Sequence, residues 1–325
     1  MKKRIKILDC TLRDGGYVID WGFQRDNTLS IMNGLVQSNV DFIECGFLKE
    51  CKYESDKTFF SLIEELENLI LPNNNYALMV NFGEYSIDKF SVCKNKNIKI
   101  RVAFKKHQQN EALEYIYKLV SLGWDVFANP MNSSTYSKEE LENLILNINK
   151  IKPYALTIVD TLGNMDEVQV VDIFKFINKL LISEIALGFH SHNSMQLSFS
   201  NTKSLLNMDL DREIIIDSCL YGMGRGAGNL CTELITKYLN DNYNAEYKIM
   251  PILRTIDKVV KPIYDKTPWG YSTLYYIAAI QGCHPNYATY LNGKNLSNEE
   301  IDRIMTSIPP EKRTIYDKSF IQELA

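Results

Sequence analysis

Short apolar runs rich in β-branched residues alternate along this chain with longer segments whose apolar residues recur every three or four positions. The first pattern is typical of strands in a buried parallel sheet, and the second is typical of amphipathic helices. The strand-like runs lie at residues 5–11, 40–47, 76–82, 98–104, 124–130, 154–161, 184–190 and 213–219. Eight strand–helix units predict an α/β fold, a (β/α)₈ TIM barrel that closes near residue 243.

The last quarter of the chain has a different pattern, with helical segments separated by loops. A chain of 325 residues with 45% hydrophobic content is long enough for one large barrel and an appendage. We therefore predict a TIM-barrel catalytic domain over residues 1–243 and a helical C-terminal region over residues 244–325.

Charge and cysteine content exclude several classes of protein. The formal net charge is −4 and the Lys and Arg residues are scattered among acids, so we expect no nucleic-acid partner. No apolar run approaches the length of a membrane span, so we expect no membrane association. The seven cysteines form no CxxC pair and their number is odd, which favours reduced thiols and a cytoplasmic location.

Polar residues gather where the predicted strands end. Because a TIM barrel builds its active site from the carboxyl ends of its strands, these residues are candidates for the site. They are Arg13, Asp14, Glu44, Asp160, Thr161, His190, His192 and the glycine-rich loop at 222–229.

The two histidines are the strongest metal-site signal. His190 and His192 are two positions apart, so on a strand their side chains point to the same face. Asp14 is brought near them when the barrel closes, and Asn229 can add an amide oxygen. This mixed nitrogen and oxygen set suits Mn²⁺, Mg²⁺ or Zn²⁺ and does not decide among them.

Four motifs in this order carry a resemblance to a known superfamily. "LDCTLRDGG", "DTLG" at 160–163, "GFHSHNSMQLSFSN" and "GMGRGAGN" resemble the metal-dependent pyruvate aldolases and acyl-CoA lyases and synthases, the DRE-TIM metallolyases. The resemblance covers roughly residues 4–240 and is nearest in motif to the 4-hydroxy-2-oxovalerate aldolases. It implies that Asp14, His190 and His192 bind a divalent metal, Mn²⁺ or Mg²⁺ before Zn²⁺ or Co²⁺. It also implies that Asn229 is a further ligand and that Arg13 stabilises an enolate.

The implied chemistry agrees with the residue types. Making or breaking a carbon–carbon bond next to a carbonyl passes through an enolate, whose charge requires a fixed cation. Arg13 supplies a permanently protonated guanidinium, and Gly15 and Gly16 let the backbone turn tightly and let a substrate approach closely. We expect an aldolase that acts on a small 2-oxo acid and an aldehyde.

Other positions leave alternatives open. Tyr17 stands where the aldolases have a catalytic histidine. Either Tyr17 is the acid/base, with a phenol pKa that the nearby metal lowers, or it forms part of the pocket wall. Glu44 either orients Arg13 through an ion pair or lines the rim. Asp160 and Thr161 either tether the substrate carboxylate or satisfy each other.

Competing functions are a Claisen-type acyl-CoA condensing enzyme and a barrel that has lost catalysis. The first requires a cluster of basic residues near the barrel mouth to bind coenzyme A, and the sequence does not reveal one. The glycine-rich loop is also compatible with phosphate binding, so a phosphorylated substrate remains an alternative. The complete set of Arg13, Asp14, His190 and His192 argues against the second. We expect a homodimer, and we do not expect the aldehyde dehydrogenase partner of the hydroxy-oxovalerate aldolases, because the C-terminal region does not visibly match their helical domain.

Overall fold

Eight parallel strands close into a barrel in the computed structural model, which describes residues 4–324. The first strand pairs with both the second and the last, so the sheet has no break. The strands are β1 (Ile5–Asp9), β2 (Phe42–Leu48), the short β3 (Phe59–Phe60), β4 (Asn75–Asn81), β5 (Ile98–Phe104), β6 (Val126–Pro130), β7 (Ala155–Asp160), β8 (Ala186–Ser191) and β9 (Ile214–Ser218). The predicted TIM barrel is confirmed.

Helices cover the outside of the barrel and form the C-terminal region. They are α1 (Arg25–Gln37), α2 (Ile63–Glu67), α3 (Gln109–Ser121), α4 (Lys138–Ile151), α5 (Glu167–Leu180), α6 (Ser198–Asn207), α7 (Thr232–Tyr243), α8 (Ile249–Thr255), α9 (Lys261–Tyr264), α10 (Thr273–Ile280), α11 (Pro285–Asn292), α12 (Asn298–Ser307), α13 (Pro310–Arg313) and α14 (Lys318–Leu324). A π-helical turn over Ile256–Val260 joins α8 to α9.

Burial on both faces explains why the strands are apolar runs. All seven residues of β2 and of β5 are buried, because one face packs into the barrel and the other against helices. The strand β3 was not predicted: it is only two residues long and pairs with the end of β2. The segment after β3 has only a short helix, Ile63–Glu67.

The two larger hydrophobic clusters of the described residues divide the chain. The barrel cluster extends through Val260, and a second cluster begins at Leu274 and ends at Ile321. The helical C-terminal region is therefore confirmed, while the boundary at residue 243 stays a prediction. No helix among residues 4–324 is long and apolar enough to cross a membrane, and all seven cysteines are free thiols.

Candidate active site

Arg13 and Asp14 lie in the loop that follows β1 at the mouth of the barrel. Arg13 Nη1 donates to Asp14 Oδ1 at 2.6 Å, and Arg13 Nε donates to Glu44 Oε2 at 2.8 Å. Glu44 lies on β2 and is fully buried. Of the two alternatives for Glu44, the structure has the ion pair, which fixes the direction of the Arg13 guanidinium.

Below the mouth, a chain of buried charges connects this arginine to a histidine. The same Glu44 oxygen lies 3.1 Å from Arg101 Nη1, and Arg101 Nη2 donates to Asp217 Oδ2 at 2.5 Å. Asp217 Oδ2 in turn lies 3.0 Å from His190 Nδ1. Each buried charge has an opposite partner, which is the condition for keeping charges inside a barrel.

Four side chains meet above this network in a set that fits a divalent metal. Asp14, His190 and His192 each offer a ligand atom, and these three atoms lie within 4.8 Å of one another. Asn229 Nδ2 donates to Asp14 Oδ2 at 2.6 Å, while its buried Oδ1 has no hydrogen-bond partner in the described part of the chain. His190 Nδ1 is engaged by Asp217, so Nε2 is the nitrogen left for an ion. The nitrogen and oxygen donors and the unpartnered amide oxygen fit Mn²⁺, Mg²⁺ or Zn²⁺.

A second group of ligating side chains shares one of these histidines. Cys10, His190 and Asp217 also lie close enough to bind an ion. The Asp217 oxygen of this group is paired with the Arg101 guanidinium, whose charge opposes a cation there. We therefore interpret this group as the support that orients His190.

Burial and neighbouring charges together set the pKa values of the three candidate metal ligands. Burial raises the pKa of the Asp14 carboxyl, but Arg13 and then His192 outweigh it, and the net pKa lies below its usual range. Burial lowers the pKa of His192 to about 3, which keeps this imidazole neutral with a lone pair available. For His190 burial also opposes the charged form, but the hydrogen bond to Asp217 raises the pKa to about 10, so an ion that binds at Nε2 must displace a proton.

The two glycines after Asp14 serve close packing rather than a left-handed turn. Gly15 and Gly16 begin a 3₁₀ turn at ordinary φ angles. A Cβ on Gly16 would lie 2.0 Å from the Trp21 ring, and one on Gly15 would lie 2.9 Å from Met223. The expected tight turn is present, but what excludes a side chain is the neighbouring Trp21 and Met223.

Asp160 and Thr161 have separate environments at the end of β7. The Asp160 carboxylate accepts the backbone N–H groups of Asn164 and Met165, both at 3.2 Å, and burial raises its pKa to about 6. Thr161 lines the barrel mouth, and its hydroxyl accepts the Asn132 N–H at 2.9 Å. Asp160 thus stabilises the loop that follows β7, and Thr161 faces the cavity.

Tyr17 lies at the edge of the mouth. Its ring packs on Trp21 and lies under the guanidinium of Arg225, whose Cζ is 4.9 Å from the ring centre. Desolvation raises the pKa of the Tyr17 phenol above 10, although Arg225 opposes the rise. The structure therefore lacks the lowered pKa that we expected of Tyr17 as an acid/base, and its catalytic role stays a prediction.

Two cavities meet at this point. The inner one has a volume of about 70 Å³ and contacts Arg13, Asp14, both site histidines and Tyr17. The outer one, of about 770 Å³, is bounded by the barrel rim and by residues of the C-terminal region. Tyr17, Met131, Thr161 and Arg225 line both, so the two spaces adjoin.

The outer cavity corrects one expectation from the sequence. Lysine, arginine and histidine side chains do cluster near the barrel mouth, because the fold brings together the segment after β5, the glycine-rich loop and the C-terminal region. They are Lys105, Lys106, His107, Arg225 and His284. The sequence hides this cluster because its members are up to 179 positions apart (284 minus 105). The sequence does carry a signal for Arg225, because it is the only charged residue of the motif "GMGRGAGN".

The glycine-rich loop after β9 closes the site on one side. Gly228 has a φ of 76°, and a Cβ there would lie 2.2 Å from the Gly222 carbonyl. A Cβ on Gly224 would lie 2.1 Å from Asn229 Nδ2. The loop thus needs glycine at these positions so that Asn229 can reach Asp14.

Comparison with known proteins agrees with this arrangement. The HMGL-like family profile matches residues 4–259, which is most of the chain and includes every residue of the candidate metal site. The chain belongs to the HMGL-like family. The similarity to its relatives supports an enzyme of the carbon–carbon lyase and aldolase class.

Two relatives among HMGL-like proteins of known sequence are named 4-hydroxy-2-oxovalerate aldolase. The one from Geobacillus genomosp. 3 is 24% identical over 81% of this chain and 79% of its own length. The one from Roseiflexus castenholzii is 25% identical, with the same shares covered.

Solved structures share the fold. The N-terminal domain of a Bacteroides vulgatus protein provisionally named an aldolase has a TM-score of 0.77 and 24% identity, covering 92% of this chain and 99% of that domain. The hydroxymethylglutaryl-CoA lyase of Pseudomonas aeruginosa has a TM-score of 0.66 and 15% identity, covering 90% of this chain and 98% of its own.

Proposed function

We propose that this HMGL-like protein is a divalent-metal-dependent aldolase that makes or cleaves a carbon–carbon bond through the enolate of a pyruvate-type 2-oxo acid. The observation that carries the proposal is the meeting of Arg13, Asp14, His190 and His192 at one cavity. Asn229, hydrogen-bonded to Asp14, adds an amide oxygen with no hydrogen-bond partner among the described residues. The named relatives support the reaction class, and the donor set supports the need for a metal.

Asp14, His190, His192 and Asn229 are the residues that would hold the ion, with Mn²⁺ or Mg²⁺ as the expected metals. A divalent ion bound there supplies Lewis acidity toward a 2-oxo acid. The residues of the chain prepare the donor atoms: Asp217 fixes the His190 ring, and burial keeps His192 neutral.

Arg13 supplies the second stabilising charge. Its Nη1 and Nε bind Asp14 and Glu44, so the guanidinium is held rigid at the cavity wall with donors left over. In the cleavage direction a 4-hydroxy-2-oxo acid passes its C4 hydroxyl proton to the proton-transfer group proposed below. The C3–C4 bond breaks, and its electron pair passes to the C2 carbonyl oxygen as an enolate. An aldehyde leaves, and C3 of the enolate takes up a proton to give pyruvate. A rigid cation beside the developing oxyanion stabilises the transition state, because the cation does not have to move when the charge forms.

Tyr17 and Thr161 are the proposed residues for the remaining roles. Tyr17 is the proposed proton-transfer group at the cavity edge, and Thr161 is the proposed contact for the substrate carboxylate. Tyr17→Phe keeps the ring that packs on Trp21 and removes only the hydroxyl. Wild-type activity in this variant would leave Tyr17 as a wall of the pocket.

The proposal is tested by exchange of the pyruvate C3 protons in D₂O, followed by NMR. Exchange needs no acceptor aldehyde, so it isolates enolisation from the identity of the second substrate. We expect exchange with Mn²⁺ or Mg²⁺, and its loss in Asp14→Ala. The matched control is Asp172→Ala, which removes an exposed carboxylate on α5. Metal-bound wild-type protein without exchange would contradict the proposal.

The homodimer also stays a prediction, and a solution mass of a single chain by light scattering would contradict it.

A further inference from the structure

The charged side chains that line the outer cavity are mostly cations. Among residues 4–324 its only acidic lining residue is Glu140, whose carboxylate is already paired with Lys106 at 2.5 Å. Lys105 and Arg225 have no ion pair with any residue in the described range 4–324. The cavity therefore holds two cations that no carboxylate of the described residues compensates.

Arg225 is placed for recognition of an anion. The Cζ of its guanidinium lies 4.9 Å from the centre of the Tyr17 ring, a cation–π contact that leaves the N–H donors available for hydrogen bonds. Its buried Nε has no hydrogen-bond partner among the described residues. A planar arginine edge with unused donors matches the oxygens of a carboxylate or a phosphate.

The C-terminal region supplies the opposite wall. His284, Asn286 and Tyr316 line the cavity, and Asn132 Nδ2 donates to the Thr314 carbonyl at 3.2 Å, which ties this wall to the barrel rim. Burial, and next the Arg225 charge, lower the pKa of His284 well below its usual value. These wall residues lie beyond residue 259, where the match to the family profile ends.

We infer that the outer cavity is a subsite for an anionic group on the second substrate, so that the aldehyde carries a carboxylate or a phosphate at its far end. The inference rests on the proposed aldolase function. A substrate whose carbonyl reacts in the inner cavity extends past Tyr17 and Thr161, which line both spaces, and presents its anionic end to Arg225 and Lys105. A neutral, short aldehyde leaves both cations unpaired.

The test compares acceptors in the condensation direction with pyruvate. Propanal is the neutral acceptor, succinic semialdehyde carries a carboxylate, and glycolaldehyde phosphate carries a phosphate. We expect kcat/KM for at least one anionic acceptor to exceed that for propanal by about tenfold or more. Arg225→Gln should reduce this ratio about 10- to 100-fold, the range for hydrogen bonds to a charged group.

Further variants separate charge from folding. Lys105→Glu reverses an exposed charge at the cavity rim and should reduce the same ratio, whereas Lys118→Glu on the exposed side of α3 should not. Arg254→Gln, an exposed arginine on α8, is the control for Arg225→Gln. Equal use of neutral and anionic acceptors, unchanged in Arg225→Gln and Lys105→Glu, would overturn the inference.

Binding of inorganic phosphate and of acetyl-CoA, measured by calorimetry, tests the subsite apart from catalysis. Phosphate binding that is lost in Arg225→Gln supports the subsite even if pyruvate exchange fails. Arg225-dependent binding of acetyl-CoA without pyruvate exchange would assign the anion to a thioester substrate. It would overturn the aldolase proposal and the anionic aldehyde, and leave only the anion-binding role of the cavity. Pyruvate exchange without Arg225-dependent anion binding or preference would overturn the subsite alone.

Discussion

Oδ2 of Asp217 lies 3.0 Å from Nδ1 of His190 and thereby fixes the ring that offers its other nitrogen to the barrel mouth. The same carboxylate oxygen accepts from Arg101, so one buried acid neutralises an arginine and orients a candidate metal ligand. Through Glu44, Arg101 is linked to Arg13. The two sides of the proposed site, the metal ligands and the catalytic guanidinium, thus share one charge network.

Asp217→Asn tests the orienting role of this carboxylate. We expect Mn²⁺ affinity to fall about 10- to 100-fold, the usual range for loss of such a support. The free energy of unfolding should also fall, by about 3–5 kcal/mol, because Arg101 loses a buried partner. Calorimetric Mn²⁺ titration and urea unfolding measure the two effects. Asp172→Asn is the control, and Mn²⁺ affinity equal to that of the wild type would contradict the role.

Arg13→Ala tests the stabilising charge. The rate of pyruvate proton exchange should fall about 10²- to 10³-fold, as for removal of one donor to a developing oxyanion. Arg13→Lys should not restore it, because an ammonium group lacks the planar fork that binds Asp14 and Glu44. Exchange rates at saturating pyruvate and Mn²⁺ measure this, with Arg254→Ala as the control. An unchanged rate in Arg13→Ala would exclude Arg13 from the chemistry.

Gly16→Ala tests the packing of the loop that carries Asp14. The new methyl group would meet the Trp21 ring at 2.0 Å, so the loop must shift, and we expect a loss of about 1–3 kcal/mol in the free energy of unfolding. Gly293→Ala is the matched control, because a Cβ there meets nothing within 4 Å. Urea unfolding compares the two variants, and equal stability would show that the Trp21 ring moves aside freely.

Asp9 predicts a pH dependence of stability. Burial raises the pKa of its carboxyl from 3.8 to about 6, although Thr232 and Thr11 donate to it. The folded state therefore binds this proton more tightly than the unfolded state does. Protonated Asp9 adds about 3 kcal/mol to the free energy of unfolding below pH 3.8, and this contribution is lost as the pH rises through 6.

Asp9→Asn removes this titration while keeping an oxygen for the Thr11 N–H and a partner for the Thr232 hydroxyl. The free energy of unfolding of the variant, minus that of the wild type, should therefore be larger at pH 8 than at pH 4.5. Urea unfolding at these two pH values measures the difference, with Asp172→Asn as the control. A difference between variant and wild type that does not change with pH would contradict the raised pKa.

The barrel was predictable because its signal is local. Each strand is buried on both faces, so residues such as those of β5 form an apolar run that can be recognised without knowing its neighbours. The strand ends then indicate the site, since the fold gathers Asp14, His190 and His192 at one rim. These three were predicted from spacing and motif together.

The supporting charges were not predictable in the same way. Arg101 and Asp217 are 116 positions apart and meet only because β5 and β9 point their side chains into the same barrel interior. Each alone looks like a lone charge in an apolar strand. The outer cavity is similar, because Lys105, Arg225 and His284 come from three separate parts of the chain. Such clusters depend on side-chain direction and strand register, which residue patterns do not determine.

The most direct measurement follows Mn²⁺ binding and pyruvate proton exchange together while Mn²⁺ is added to metal-free protein. We predict that exchange is absent without metal and that exchange and binding saturate together at about one ion per chain, as one set of ligands requires. Asp14→Ala should lose both, and Asp172→Ala should lose neither. Exchange that proceeds without metal, or tight Mn²⁺ binding that survives in Asp14→Ala, would contradict the account.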